Sequence, residues 1–221
     1  MDETRALLER YDLSDKAIWL DETNASPNLD PRWRVERPRW QITLDQQAAF
    51  LAQAAALGLA AGADAVGVYK FYDWSLPPGG EPFGLLRADA SRRPAFETWQ
   101  MVASQFNTVE AASLAQTERV DAVRLERSDG QQLLVTWART GEPAMIRVSA
   151  TEAQSQLLDQ YGKIVTLRPL DGAYTLALPG ASCDVTDGCP VGGLVSLLVQ
   201  PRGEMTVEEW TPAGIVPLVF E

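Results

Sequence analysis

The hydrophobic pattern changes its period about halfway along the chain, and this change constrains the fold more than any other feature. Up to about residue 107, helical patterns alternate with short apolar runs, whereas after about residue 117 apolar and polar residues alternate. The first pattern is typical of a parallel sheet covered by helices, and the second of antiparallel strands. We therefore predict an α/β segment followed by an all-β domain.

The first half contains three predicted helices and two predicted strands. The helices are expected at residues 4–11, 44–61 and 94–106, and the strands at residues 17–22 and 65–72. The second helix is rich in Ala and Leu and stops at Gly62, which suits a helix packed closely on a sheet. The order of strands and helices indicates consecutive β/α units.

Seven short runs with a period of two follow, separated by turn residues such as Asp129-Gly130 and Asp171-Gly172. They lie at residues 122–128, 132–139, 144–150, 156–160, 164–170, 174–178 and 194–200. We predict an antiparallel β-sandwich at residues 121–221, joined to the segment 1–107 by a connector at residues 108–120. A further strand at residues 215–220 is expected without a defined place. Because the pattern is self-consistent, we expect residues 122–200 to fold independently.

Charge and composition restrict the possible partners and chemistry. Nineteen basic and thirty acidic side chains give a net charge of -11, which disfavours binding to nucleic acid or an anionic membrane. No apolar run is long enough to span a membrane, and the first residues lack a signal-peptide pattern. Without histidine, the chain offers neither an imidazole base nor a histidine-bound metal. Carboxylates remain for acid-base chemistry, and we expect no cofactor and no metal.

The two cysteines, Cys183 and Cys189, lie six positions apart. They are close enough in sequence to form a disulfide, but two free thiols are an equal alternative because the cellular compartment is unknown. Between them, Asp184, Thr186 and Asp187 could hold calcium, or the Asp-Gly pair could serve only as a turn.

Glu22 is the strongest candidate for a catalytic group in the sequence. Alternation along the first predicted strand places it on the same face as Ile18 and Leu20, with Asp21 pointing toward the helices. Glu22 also stands at the carboxyl end of the strand, where catalytic side chains of parallel barrels lie. On spacing alone, a second interpretation is open, in which Glu22 only caps or solubilises the strand end.

Several motifs resemble one enzyme family in the same order. Residues 18–24, IWLDETN, resemble the seventh-strand motif of clan A glycoside hydrolases, especially bacterial family 39-like enzymes, and Glu22 matches the position of their nucleophile. Their eighth strand, closing loop and last helix are similar to residues 60–73, 81–89 and 93–96. Residues 171–179, DGAYTLALP, and the Gly192-Gly193 pair resemble the β-sandwich that often follows such barrels.

The resemblance implies the last two β/α units of a TIM (β/α)8 barrel followed by a β-sandwich. It also implies a retaining glycosidase that acts by double displacement and needs a second carboxyl group about 5 to 5.5 Å from Glu22. The family's acid/base glutamate follows an asparagine, and no Asn-Glu pair occurs in this sequence. We therefore expect this chain alone to be inactive. The missing N-terminal barrel segment would be supplied in cis or in trans, and truncation is the favoured explanation.

Three aromatic residues are predicted to bind a carbohydrate substrate: Trp33, Tyr69 and Trp74. Trp33 lies in an arginine-rich loop, residues 31–40, where arginines could hold an acidic sugar or could simply be solvated. Trp74 follows the second strand and could be a sugar platform or could pack under the next loop. Polysaccharide chemistry would favour an extracellular or periplasmic location.

Two other functions are retained beside the glycosidase. One is a non-catalytic carbohydrate-binding or accessory module, built from a degenerate barrel and the β-sandwich. The other is a barrel enzyme of unrelated chemistry, which holds only if the likeness at Glu22 is misleading.

Overall fold

The computed structural model describes residues 1–33, 35–36, 40–74, 80–183 and 188–221. Within these ranges the chain forms three helices and twelve strands, and most of the strands are antiparallel. The helices are α1 (Asp2–Arg10), α2 (Leu44–Ala60) and α3 (Pro94–Gln105). Among the described residues, none of them has the length and hydropathy that a membrane crossing requires. With these helices and strands, the chain is a mixed α/β protein.

Helix α2 begins and ends at clear local signals. Thr43 and Gln46 form a capping box, in which the Thr43 hydroxyl accepts from Gln46 N at 3.1 Å and the Gln46 side chain accepts from Thr43 N at 2.9 Å. The chain leaves the helix at Gly62, whose φ of 85° suits glycine. Ten of the seventeen helical residues are buried, so the helix is covered on more than one side.

Strands β1 (Trp19–Thr23) and β2 (Ala65–Val68) form a two-stranded parallel sheet. Helix α2 approaches this sheet closely at Gly58. A Cβ atom at Gly58 would lie 2.8 Å from Val66 Cγ2 and 3.0 Å from Leu20 Cδ1. The face that carries Leu20 and Val66 is therefore the face covered by α2.

A β-bulge lies near the end of β1. Leu20 to Thr23 spans three steps on β1 but only two steps on its partner strand, so Asp21 and Glu22 share the space of one residue. Both side chains are exposed. The predicted orientation of Asp21 toward the helices was wrong, because Leu20 faces α2 and the bulge breaks the alternation. The bulge is what leaves Glu22 exposed.

Residues 109–221 form two antiparallel sheets, here called the two-sheet unit. The larger sheet has the order β3-β4-β5-β10-β7-β8, and the smaller has the order β12-β11-β6-β9. The strands are β3 (Val109–Gln116), β4 (Val120–Arg127), β5 (Gln131–Ala138), β6 (Ala144–Ser149), β7 (Ser155–Asp159), β8 (Ile164–Leu167), β9 (Ala173–Leu178), β10 (Ser196–Pro201), β11 (Val207–Thr211) and β12 (Gly214–Leu218). Residues 108–120, predicted as a connector, thus include β3, an edge strand of the larger sheet.

The two sheets pack face to face around an apolar core. Leu134 and Leu198 of the larger sheet meet Ile146 and Tyr174 of the smaller one in this core. Tyr174 keeps its polar end satisfied, because its hydroxyl donates to Glu152 O at 2.8 Å and accepts from Ser155 Oγ at 2.9 Å.

The opposite face of the larger sheet packs against α2 and α3. Leu133 and Trp137 of β5 belong to the same buried cluster as Ala56 and Met101 of the helices. Because both faces of β5 are covered, every residue after Gln131 in this strand is buried. We predicted that residues 122–200 fold on their own. This packing does not favour that prediction, because the fragment would expose the face that the helices cover.

Polar contacts reinforce the joint between the helices and the two-sheet unit. The Gln53 side chain of α2 donates to Gly193 O at 2.8 Å and accepts from Gly192 N at 3.2 Å. The Tyr161 hydroxyl donates to Asp45 Oδ1 at 2.7 Å. Burial, together with this hydrogen bond, raises the pKa of Tyr161 above its ordinary value, so the hydroxyl remains a donor.

Candidate functional site

The carboxyl ends of β1 and β2 lie side by side, and the loops that follow them form the candidate site. The backbone N–H of Tyr69 donates to Thr23 O at 3.2 Å, so the strands remain paired beyond the end of β2. The first loop joins β1 to α2, and the second joins β2 to α3. Ligands of parallel α/β sheets bind at this edge of the sheet.

Glu22 presents an exposed carboxylate at this edge. Among the described residues, no hydrogen bond or ion pair occupies that carboxylate. Glu22 directly precedes Thr23, whose carbonyl oxygen accepts from the backbone N–H of Tyr69. Glu22 therefore lies next to the start of the second loop. The geometry leaves Glu22 open to a ligand, and its role as a nucleophile stays a prediction.

The three predicted substrate-binding aromatics differ in exposure and do not form one cluster. Trp74 is 82% exposed and makes an edge contact with Tyr72, with ring centres 6.2 Å apart. Residues 75–79, which follow Trp74, lie outside the described residues, so the interpretation that Trp74 packs under the next loop is untested. Tyr69 is 42% exposed and lies edge-on to Phe83 at 5.8 Å. Trp33 is half-buried, and no contact between described residues joins it to Glu22 or Trp74.

The arginine-rich loop is only partly within the described ranges. Arg34, Arg37 and Arg39 lie outside them, so the acidic-sugar interpretation of these residues is untested. Arg32 is described, and its guanidinium lies 2.5 Å from Asp89 Oδ2 in an exposed ion pair. Arg32 is thus engaged by a carboxylate of the protein itself.

Asn24, two residues after Glu22, ties the two loops together. Its Nδ2 donates to Tyr69 O at 2.8 Å and to Phe83 O at 2.7 Å. Its Oδ1 accepts from Ala25 N at 2.8 Å and from Gln47 Nε2 at 3.3 Å. Both donors and both acceptor positions of the amide are therefore used. Asn24 belongs to the motif at residues 18–24, but this structural role was not predicted.

A buried ion network joins the same loops to the start of α3. Asp30 accepts from Arg87 Nε at 2.7 Å and from Arg93 Nε at 2.8 Å. Arg93 Nη1 also donates to Asp73 Oδ2 at 2.6 Å. The side chains of all four residues are buried. Two loops and one helix are thus held by charge-assisted hydrogen bonds in a site with little water.

The two arginines hold Asp30 in its ionised form. Burial alone acts to raise the pKa of Asp30, but the hydrogen bonds from Arg87 and Arg93 outweigh it, so the pKa lies below its ordinary value. Asp73 is further held by Gly84 N at 2.9 Å. Asp30 is a permanent anion at neutral pH and serves as an anchor rather than as a proton donor.

The sequence did not predict this network. Asp30 is separated from Arg87 by 57 positions and from Arg93 by 63. An arginine inside an apolar run, as in residues 84–88 (GLLRA), indicates a buried cation, but nothing local identifies its partner.

A pocket of about 520 Å3 lies beside the two loops, where they meet α2 and the two-sheet unit. Its lining residues are Asn24, Ala25, Ser26, Asn28, Trp40, Ile42, Phe50, Glu81, Phe83, Pro190 and Val191. None of the four predicted site residues, Glu22, Trp33, Tyr69 and Trp74, lines this pocket. It was not predicted from the sequence, because its walls come from four distant segments.

Cys183 and Cys189 form a disulfide bond, so the first of the two alternatives for these cysteines holds. Asp184, Thr186 and Asp187 lie outside the described residues, and the calcium hypothesis is therefore untested. Elsewhere in the described ranges, no group of three or more Cys, Asp or Glu side chains is arranged to hold a metal ion.

The fold is similar to that of known glycoside hydrolases. It matches a family 39 glycoside hydrolase from the gut symbiont Bacteroides cellulosilyticus WH2, with a TM-score of 0.67 and 20% sequence identity. The match covers 90% of this chain and 37% of that chain. The predicted resemblance to family 39-like enzymes is thus confirmed for the fold, and the chain spans little more than a third of that enzyme.

Two further solved structures align more loosely. The catalytic domain of a family 30 xylanase C from Talaromyces cellulolyticus has a TM-score of 0.49 and 15% identity, over 83% of this chain and 41% of its own. An endo-β1,6-glucanase has a TM-score of 0.49 and 14% identity, over 91% of this chain and 39% of its own. No protein-family profile matches the sequence, and no curated protein matches it.

Proposed function

We propose that this chain is the C-terminal portion of a retaining glycoside hydrolase, with β1 and β2 as the last two strands of its (β/α)8 barrel. One observation carries the proposal. Glu22 presents an exposed carboxylate at the carboxyl end of a parallel strand, in a chain whose fold matches a family 39 glycoside hydrolase over 90% of its length.

In the proposed reaction, a Glu22 oxygen attacks the anomeric carbon of the sugar while the bond to the leaving oxygen breaks. A covalent glycosyl-enzyme forms, and water later releases the sugar with Glu22 as the leaving carboxylate. The proton for the leaving group comes from a second carboxyl group on another strand of the barrel. Trp33, Tyr69 and Trp74 would contact the substrate from the two loops.

The open side of the parallel sheet supports the incomplete-barrel part of this proposal. One face of β1 and β2 is covered by α2, whereas Trp19, on the other side, is 70% exposed. Two strands cannot close a barrel, which needs eight. We therefore propose that an upstream barrel segment, in cis or in trans, covers this face and supplies the acid/base carboxyl group.

The test is a paired substitution in the protein that combines this chain with its upstream strands. Glu22→Gln keeps the shape but removes the attacking charge, so hydrolysis of aryl glycosides should fall by several orders of magnitude while sugar binding persists. Asp21→Asn, beside it in the same bulge, is the matched control and should retain most of the activity. The chain of 221 residues alone should show no turnover. Full activity in Glu22→Gln would contradict the proposal.

The non-catalytic carbohydrate-binding module is the second candidate, because three aromatic residues, Trp40, Phe50 and Phe83, line the 520 Å3 pocket, and sugar rings pack well on aromatic rings. Activity that depends on Glu22 in the longer protein favours the enzyme. Sugar binding without any activity in that protein favours the module.

A further inference from the structure

The smaller sheet of the two-sheet unit turns one face toward the larger sheet and the other face outward. Ile146 and Tyr174 point into the core between the sheets, and alternation turns their neighbours to the outer face. Three large apolar side chains there are left open by the described residues: Met145 is 40% exposed, Trp210 is 42% exposed and Ile215 is 58% exposed. The outer face is therefore an apolar surface without a cover in this part of the chain.

This outer face lies far from the parallel pair β1–β2. Helix α2 packs on β1 and β2 with one side and on the larger sheet with another, and the smaller sheet packs on the opposite face of the larger sheet. Three layers, namely α2, the larger sheet and the smaller sheet, thus separate the parallel pair from the outer face. The upstream strands proposed above would extend the parallel pair, so the outer face suits a different partner.

Backbone register aligns the outward side chains in two rows that cross the four strands in the order β12, β11, β6 and β9. The first, here called the apolar row, consists of Ile215, Trp210, Met145 and Ala177. The second, here called the charged row, lies two residues away along each strand and consists of Pro217, Glu208, Arg147 and Thr175. Tryptophan and methionine are enriched in protein–protein interfaces. The apolar row therefore favours a protein as the partner.

The apolar row is complementary to itself about a two-fold axis. Because the sheet has four strands, the centre of its face lies between β11 and β6. A two-fold axis that runs there, parallel to the strands, lays β11 of one copy over β6 of a second copy, and β12 over β9. Trp210 then faces Met145 of the second copy, and the large Ile215 faces the small Ala177. A thioether packs favourably against an aromatic ring, and a large side chain opposite a small one leaves little void.

The charged row obeys the same symmetry. Glu208 of one copy faces Arg147 of the second copy, and the axis creates this contact twice. Within one copy the two residues are register partners, but no ion pair joins either of them to a described residue. Arg147 Nη2 donates to the backbone oxygen of Asp171 at 2.9 Å, which leaves most of the guanidinium donors free. Two opposite charges are thus available for a second copy at matching positions.

The size of the outer face indicates a weak interface. Four strands of five or six residues span roughly 19 Å by 19 Å, or about 350 Å2 in projection. A standard interface buries about 800 Å2 of accessible surface on each partner. The net charge of -11 on each copy also opposes association. A second copy would therefore bind reversibly and dissociate on dilution.

We propose that the outer face of the smaller sheet is a homodimer interface, in which two copies meet about the two-fold axis between β11 and β6. A second copy is favoured over an unrelated protein because both rows are complementary to themselves about the same axis. The proposal does not rest on Glu22 or on the upstream strands, so its outcome is independent of the proposed catalytic function.

The experiment is sedimentation velocity of the 221-residue chain over a concentration series. An ionic strength of about 0.15 M limits repulsion between the two copies to a range of about 8 Å. We expect a monomer–dimer equilibrium with a Kd of roughly 10 to 100 μM, as for a small interface. A chain that stays monomeric throughout the series would overturn the proposal.

Two tryptophan variants locate the interface. Trp210→Lys places a charge in the apolar row, and we expect it to weaken the dimer at least about tenfold. Trp19→Lys changes a tryptophan of β1 that is 70% exposed, and as the matched control it should keep the original Kd. A dimer that survives Trp210→Lys, or one that Trp19→Lys abolishes, would show that the chain associates through another surface.

Two charge variants test the two-fold arrangement itself. In the dimer, Arg147→Glu sets two acidic side chains against each other and Glu208→Arg sets two basic ones, so each variant alone should weaken the dimer at least about tenfold. An equimolar mixture of the two variants restores opposite charges at both contacts and should dimerise as tightly as the original chain. Because the neighbours within each copy still carry like charges, this rescue reports contact between copies. A mixture that associates no better than either variant alone would exclude the arrangement.

Discussion

The parallel pair β1–β2 and the larger sheet of the two-sheet unit differ in how completely their faces are covered. In the larger sheet, neighbouring residues Leu133 and Leu134 are both fully buried, one against the helices and one against the smaller sheet. In the parallel pair, Leu20 faces α2 but Trp19 is largely exposed. The two-sheet unit and its helices are thus complete layers, whereas the parallel pair presents one open face. The covered faces contribute to the stability of this chain, whereas the open face is the surface that the proposed upstream barrel segment would cover.

The largest effect is expected when the cover of the larger sheet is removed. A fragment of residues 109–221 lacks α2 and α3 and exposes a face that includes Leu133, Trp137 and Leu197. Each large apolar side chain contributes roughly 1.5 to 3 kcal/mol when buried, so the loss is comparable to the whole stability of a domain, about 5 to 15 kcal/mol. We expect no cooperative urea transition and strong binding of a hydrophobic dye. A sharp transition in this fragment would restore the view of an independent sandwich.

The next effect concerns the buried ion network, which holds together the two loops that follow β1 and β2. Arg93→Met leaves Asp30 and Asp73 without their shared cation, and we expect a loss of about 3 to 5 kcal/mol in the free energy of unfolding. Arg32→Met removes an exposed ion pair with Asp89 and should cost about 0 to 1 kcal/mol. Urea denaturation of both variants measures the difference. Equal losses would mean that the network is no more important than a surface pair.

A smaller effect compares the two faces of β5 directly. Leu133→Ala opens a cavity against the helices and Leu134→Ala opens one between the sheets. We expect each to lower the free energy of unfolding by about 2 to 5 kcal/mol, because both sites are closely packed. A markedly smaller loss for Leu133→Ala would show that the helices cover the sheet only loosely.

The smallest effect is expected at Trp74, which follows β2 of the parallel pair. Trp74 is 82% exposed, so Trp74→Ala should change the free energy of unfolding of this chain by no more than about 0.5 kcal/mol. Trp137→Ala, at a buried tryptophan, is the contrasting variant and should cost about 3 to 5 kcal/mol. A large loss in Trp74→Ala would indicate that the exposed aromatic supports the fold rather than a ligand.

The candidate site was predicted only in part, and the reason differs for each residue. Glu22 was identified from its position at a strand end and from the resemblance at residues 18–24, and the structure leaves it exposed. The alternation used to orient it failed at the bulge, which has no sequence marker here. Trp74 follows β2, as expected, whereas Tyr69 was predicted inside a strand at residues 65–72 and lies just after β2 ends at Val68. Neither the Asp30 network nor the pocket around Trp40 was predicted.

The sequence by itself determined the features that depend on neighbouring residues. The change of period near residue 117 indicated where helices with parallel strands give way to antiparallel strands, and the glycine at 62 marked the end of α2. These features follow from backbone hydrogen bonding and from burial of one face at a time, which leave a periodic pattern.

Only the tertiary structure decided which surfaces meet. The burial of both faces of β5, the pairing of Asp30 with Arg87 and Arg93, and the pocket between the first loop and Val191 all join segments far apart in sequence. Such contacts leave no periodic pattern, because each partner satisfies its local structure equally well with or without the other. Their geometry is set by how the helices pack on the sheets, and that packing is a property of the whole chain.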